Sequence, residues 1–183
     1  MKKTYIILGI VAVVLLYGLM SYNSLISSGE TVNTQWAQVE TQYQRRFDLI
    51  PNLVESAKGV MKQEQAVFGA LAEARSRYSG ATNQSDKAKA ASGVESALSR
   101  LLVVVENYPQ LKSSENVQNL MNELAGTENR VSVERKRYND IVREYNLNVK
   151  RFPKNLIAAL FNFSEKTYFE AVEGSEASPK VVF

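Results

Sequence analysis

From Tyr5 to Met20 the chain carries no charge and almost nothing polar. A run of that kind needs lipid or a protein core around it. Extended through Tyr22 to Ile26, it reaches the roughly 20 residues that a membrane-spanning helix requires. Lys2 and Lys3 precede it, the first charge after it is Glu30, and the first basic residue after it is Arg45. This asymmetry predicts a single-pass membrane protein with a cytoplasmic N-terminus and the remainder on the other side of the membrane. A cleaved signal peptide is the competing reading. Ser27-Ser28-Gly29 supplies small residues but lies far beyond the apolar centre, and Gly18-Leu19-Met20 ends on a bulky one. An uncleaved anchor is therefore preferred.

The other 157 residues, from Ser27 to Phe183, suffice for one domain with a sizeable core. The net charge of +3 is misleading, because Lys2 and Lys3 belong to the anchor and leave 20 basic against 19 acidic residues. That balance does not fit a nucleic-acid binder, which needs clustered positive charge. With no Cys and no His, thiolate sites, His-ligated zinc and Ser-His-Asp or Cys-His catalysis are excluded. No acidic cluster has calcium-loop spacing, so no metal or cofactor is expected.

Beyond Gly29, either a joint or a glycine within a continuous helix, apolar residues recur at Val32, Trp36, Val39, Tyr43, Phe47 and Ile50. These are helical steps. The pattern continues past Pro51 to Leu71, predicting one long first helix, kinked at Pro51 rather than reversed there. The stretch from Tyr78 to Asp86 reads as a loop in which Asn83 or Ser85 caps a second helix. That helix buries Val94, Leu98, Leu101, Leu102 and Val105 and stops before Tyr108-Pro109. Ser113 reads as the cap of a third helix, with a heptad-like seam through Val117, Leu120, Leu124, Thr127, Val131, Glu134, Tyr138, Ile141, Tyr145, Asn148 and Phe152. Phe152-Pro153 ends it, and Lys154 to Phe163 forms one more helical piece. The expected fold is all-α: a transmembrane helix, then an elongated antiparallel up-and-down bundle. Its expected divisions are 1–26 (N-terminus and anchor), 27–170 (bundle) and 171–183 (irregular tail).

Several groups invite a chemical reading. Asp48 and Glu55 sit about two turns apart on one helix and would suit general acid-base work if a cleft lay between them. Arg45 and Arg46 beside them favour an ion-pair network instead, tying this helix to Glu106, Arg130 or Glu134. Pro51 sets the bend and Asn52 follows it. Glu106, Tyr108 and Pro109 read as a capped helix end and turn rather than as a partner-binding site. Trp36, Tyr43, Tyr138 and Tyr145 read as core aromatics with their polar tips at the surface. Arg130, Arg135, Lys136, Arg137 and Arg143 interleave with acids, which describes a solvated face. Phe161 and Phe163 either close the bundle or dip into the membrane interface.

Particular residues carry a resemblance. They are Tyr22-Asn23, Trp36-Ala37-Gln38-Val39, RRFDLIPNLVES from Arg45 to Ser56, Glu106 to Lys112, and Glu123-Leu124 with Thr127-Glu128. Further along are Arg137-Tyr138-Asn139, Tyr145-Asn146, Phe152-Pro153, Tyr168-Phe169-Glu170 and Pro179-Lys180-Val181. Along essentially its whole length the chain resembles the LemA family of bacterial membrane proteins. Phe47, where many relatives carry a smaller or more polar residue, is the one departure. The resemblance implies a membrane-anchored helical bundle and brings no catalytic or ligand site with it. Some relatives are associated with intracellular membrane formation. The resulting expectation is a non-enzymatic, membrane-tethered scaffold of the cell envelope, with an unknown envelope protein or a second copy of itself as partner. The alternatives are an oligomeric membrane-shaping protein and, less favoured, a carboxylate-based hydrolase.

Overall fold

A computed structural model describes residues 2–58 and 64–169. Within them the chain is all-α, with α1 (Lys2–Lys58), α2 (Gln65–Gly80), α3 (Gln84–Glu106), α4 (Pro109–Lys112), α5 (Glu115–Lys150) and α6 (Lys154–Leu160). The tail expected to be irregular lies outside the described residues. The chain separates into two compact units. One joins α1 up to Gln38 with Lys136–Tyr168; the other joins the described residues of Val39–Arg135 with Phe169.

The helix α1 changes character along its length. Its large side chains from Tyr5 to Met20 are exposed, and the helix is long and apolar enough near its N-terminus to cross a membrane. Burial then sets in at Leu25 and continues through Val32, Trp36, Val39, Tyr43, Phe47, Ile50, Leu53 and Ala57. Steps of three, four and seven keep that stripe on one face. Each of its large apolar side chains contributes about 1.5–3 kcal/mol on burial. Gly29 sits inside the helix, where an added Cβ would meet Tyr145 Cε2 at an ordinary 3.7 Å. Pro51 is inside it too, on the exposed side between buried Ile50 and Leu53. The missing N–H removes one hydrogen bond, and the buried neighbours on either side hold the helix together through it. The break in the expected long helix comes later: Glu64 is non-helical, and α2 begins afresh at Gln65.

In the first unit, Trp36 meets Tyr138 edge-on at 5.4 Å. Buried Asn146 clamps the segment after α6, donating to the Lys166 carbonyl (2.9 Å) and accepting from the Lys166 N–H (2.8 Å). The Tyr138 hydroxyl donates to the Thr167 carbonyl at 3.3 Å, and burial pushes its pKa up to about 12. The helix α6 is too short to stand alone, and its end is well fastened. Asn162 takes a positive φ of 58°, Phe163 N–H reaches the Ala158 carbonyl (2.9 Å), and Asn162 N–H reaches that of Ala159 (3.4 Å). This is a Schellman ending. It turns the chain so that Phe161 and Phe163 both meet the Tyr22 ring, at 4.7 and 5.8 Å.

In the second unit, α2 and α3 pack on each other across the short link Ala81–Asn83. Asn83 caps α3, its side chain accepting from Asp86 N–H at 2.9 Å. Ser113 ends α4 rather than starting α5, which follows Ser114. The α5 seam also differs from expectation in its second half. Val142 and Asn146 are buried, whereas Glu134 and Asn148 are half-buried and Phe152 is 79% exposed. A straight helix drifts off a strict heptad, so a seam extrapolated at fixed period leaves the buried face.

Candidate functional site

The stretch Arg45–Glu55 lies on α1 within the second unit. Helical geometry turns its two arginines to different sides. Arg45 is exposed, while Arg46 is 2% exposed and forms an ion pair with Glu128 of α5. Glu128 remains half exposed. The partner is thus neither Glu106 nor Glu134. Nε and Nη1 of Arg46, and Oε1 of Gln42 one turn earlier, are buried without a protein partner among the described residues. Asp48, Pro51, Asn52 and Glu55 are exposed. Asp48 accepts from Gln44 Nε2 (3.0 Å) and Glu55 pairs with Lys58 (2.7 Å), both within α1.

A second polar group lies deeper. Glu95 of α3 is 6% exposed and accepts from the Tyr43 hydroxyl at 2.8 Å. Arg135 Nη1 donates to both of its carboxylate oxygens, at 2.7 and 3.0 Å. The same guanidinium stands over the Phe169 ring, 4.8 Å from its centroid, so charge and aromatic face also attract. Tyr78 stacks beside this group, 5.2 Å from Tyr43 and 5.0 Å from Phe47. Burial, and then the Glu95 carboxylate, push the Tyr43 pKa well above the ordinary phenol range. The tip of Tyr43 does not reach the surface as expected: its hydroxyl is buried in the carboxylate's grip, and the Tyr78 hydroxyl is buried as well.

The profile of the LemA family matches residues 35–183, a span that includes every residue just described for the second unit. The chain belongs to the LemA family. Among characterised proteins it is similar to magnetosome proteins MamQ 1 and MamQ 2 of Paramagnetospirillum magneticum, each 26% identical over 178 residues. MamQ of Magnetospirillum gryphiswaldense is 25% identical over 177 residues. These alignments cover 82–83% of this chain but only 65% of each relative, so the chain spans less than two thirds of their length.

In this LemA protein, Asp48 and Glu55 do not share a cleft. Asp48 lines one of about 580 Å³ with Arg45, Glu123 and Arg130, whereas Glu55 lines another of about 470 Å³ with Pro51, Phe68 and Arg75. Neither of these two clefts is lined by both carboxylates. Glu106 lines a third, of about 250 Å³, with Lys112 and Met121. Tyr108 instead donates to Glu64 at 3.3 Å, and Pro109 occupies the first position of α4. Phe161 and Phe163 belong to the first unit. Glu95 was missed in the sequence, and Arg135, expected on a solvated face, instead holds this buried carboxylate. The signal available was a lone carboxylate between Val94 and Leu98 on the apolar face of α3, which calls for a buried cation.

Tyr43 makes the protein's alkaline stability testable. Unfolded, its phenol ionises near the reference value of 10.0; folded, it does so only at higher pH. Its contribution is therefore complete below pH 10 and is lost as pH rises beyond, by up to about 1.4 kcal/mol per pH unit. Melting temperature should fall above pH 10, and Tyr43→Phe should fall less steeply from a slightly lower start. Parallel curves between pH 9 and 12 would show that another group controls the alkaline limb.

Proposed function

We propose that this protein is a non-enzymatic, membrane-tethered scaffold of the bacterial envelope. Residues 5–26 serve as its span, Lys2 and Lys3 face the cytoplasm, and the helical domain faces outward. The observation that supports this best is α1 itself. The helix carrying the exposed, uncharged run also carries, without interruption, the apolar stripe that enters the packed core. The anchor is thereby built into the domain rather than hung from a linker. The charges of the Arg45–Glu55 stretch fit the same reading, because the buried one faces Glu128 and the acids lie on separate clefts.

A second reading, an oligomer that organises membrane, draws on the relatives named as magnetosome proteins. One variant addresses both. The chain has no cysteine, so Thr82→Cys, on the exposed link between α2 and α3, is a unique handle. A membrane-impermeant maleimide should label it in intact cells. A crosslinker on the same thiol should then capture either an envelope protein or a second copy. Labelling only after lysis would refute the orientation. Neither partner nor self-crosslink above background would count against a scaffold.

A further inference from the structure

The exposed apolar residues after Met20 are few on α1 but gather around α6. Phe152, Leu156 and Leu160 are 79%, 60% and 70% exposed and follow one another at four-residue steps, with Phe161 beside them at 51%. No packing among the described residues explains such a row. Its position does. Ile157, about 100° round the same helix from Leu156, has its Cδ1 only 3.8 Å from where a Cβ on Gly18 would stand. Phe161 meets Tyr22, and Lys154 Nζ reaches Ser24 Oγ at 3.1 Å. Thus α6 is fixed against α1 at Gly18–Ser24, where the uncharged run ends, and its exposed row continues the apolar surface of that run.

Charge points the same way. Between Asn146 and Phe169 the only acid is Glu165, against Lys150, Arg151, Lys154 and Lys166. Glu165 is paired with Lys150 at 2.7 Å, and Arg151 is exposed next to Phe152. Exposed apolar residues bordered by basic ones suit the boundary between acyl chains and anionic headgroups. Tyr17 and Tyr168, 40% and 44% exposed, add the aromatic side chains that favour that depth.

We propose that α6 is an interfacial membrane element. It rests in the leaflet where α1 emerges, with Phe152, Leu156, Leu160 and Phe161 among the upper acyl chains and Arg151 at anionic headgroups. The inference rests on the reading of residues 5–26 as a span. A helix seated this way enters roughly 5–10 Å into the leaflet. The protein therefore contacts one leaflet at two adjacent points, and the domain's standing on the bilayer is set by α6 as well as by the anchor.

The test uses full-length single-cysteine variants carrying an environment-sensitive NBD dye. They are reconstituted in vesicles of phosphatidylglycerol and phosphatidylcholine, with and without bromine high on the acyl chains. Leu15→Cys reports the span, Leu156→Cys and Leu160→Cys report α6, and Val103→Cys, 60% exposed on α3, reports a solvated face. All four substitutions are at exposed positions and leave the core intact. Blue-shifted emission, quenched by bromolipid, is expected at 15, 156 and 160, with aqueous, unquenched emission at 103. Quenching at 15 with aqueous emission at 156 and 160 overturns the inference and leaves the span reading intact. Blue-shifted emission at 156 and 160 that ignores bromolipid also overturns it, since a second copy or another protein then covers the row. Absence of quenching at 15 removes the span reading, and α6 falls with it.

Discussion

Replacing Glu95 by alanine is expected to be the most damaging single change in the helical domain. The substitution leaves the Arg135 guanidinium without the carboxylate that holds it and the buried Tyr43 hydroxyl without its acceptor. Breaking a buried pair by removing one partner costs roughly 3–5 kcal/mol, because the surviving charge remains desolvated. For a domain of this size that corresponds to a melting temperature about 10 °C lower. The effect should be grossly non-additive. Glu95→Leu combined with Arg135→Met removes both charges and keeps apolar volume, so it should recover most of the loss. Thermal unfolding of the full-length protein in detergent compares both variants with the parent. A Glu95→Ala melting point within a degree or two of the parent, or a double variant as damaged as the single, would sink the account.

Arg46 poses the opposite question, because its charge is buried but incompletely matched. Glu128 can still be hydrated when its partner is lost, and two of the three guanidinium nitrogens of Arg46 find no protein acceptor among the described residues. Its aliphatic stem, however, fills space in the core. Arg46→Ala should therefore cost about 2–4 kcal/mol, mainly through the cavity it leaves. Arg46→Met keeps the volume and removes the charge, and should fall within about 1 kcal/mol of the parent or above it. The order parent ≈ Met > Ala identifies Arg46 as a packed, costly charge. If Met is as destabilising as Ala, the ion pair itself holds the domain. If neither moves the melting point, the arginine is not structural, and a functional role for this stretch reopens.

How much of this was legible beforehand depended on whether the cause was local. The α1 stripe, the Asn83 cap, the stops at Tyr108-Pro109 and Phe152-Pro153, and the uncharged run are each decided within a few residues. Helical period, cap chemistry and the proline ring act over that range and leave their mark in the sequence. The end of the first helix was harder to see. Pro51 is the obvious interruption, yet it faces outward between buried Ile50 and Leu53, and the helix passes through it to Lys58. Periodic apolar residues continue into α2 and conceal the non-helical Glu64.

By itself, then, the sequence determined that this is an all-α LemA-family chain with an apolar segment able to cross a membrane, and it excluded His- and Cys-dependent chemistry. Only the tertiary structure decided which of two adjacent arginines is buried, that Glu95 and Arg135 meet across 40 positions of chain, and that Phe152 is exposed. The physical reason is the same in each case. Neighbouring helical residues point about 100° apart, so side-chain identity cannot say which one faces a partner, and ion pairing depends on separations that exist only after the helices have packed.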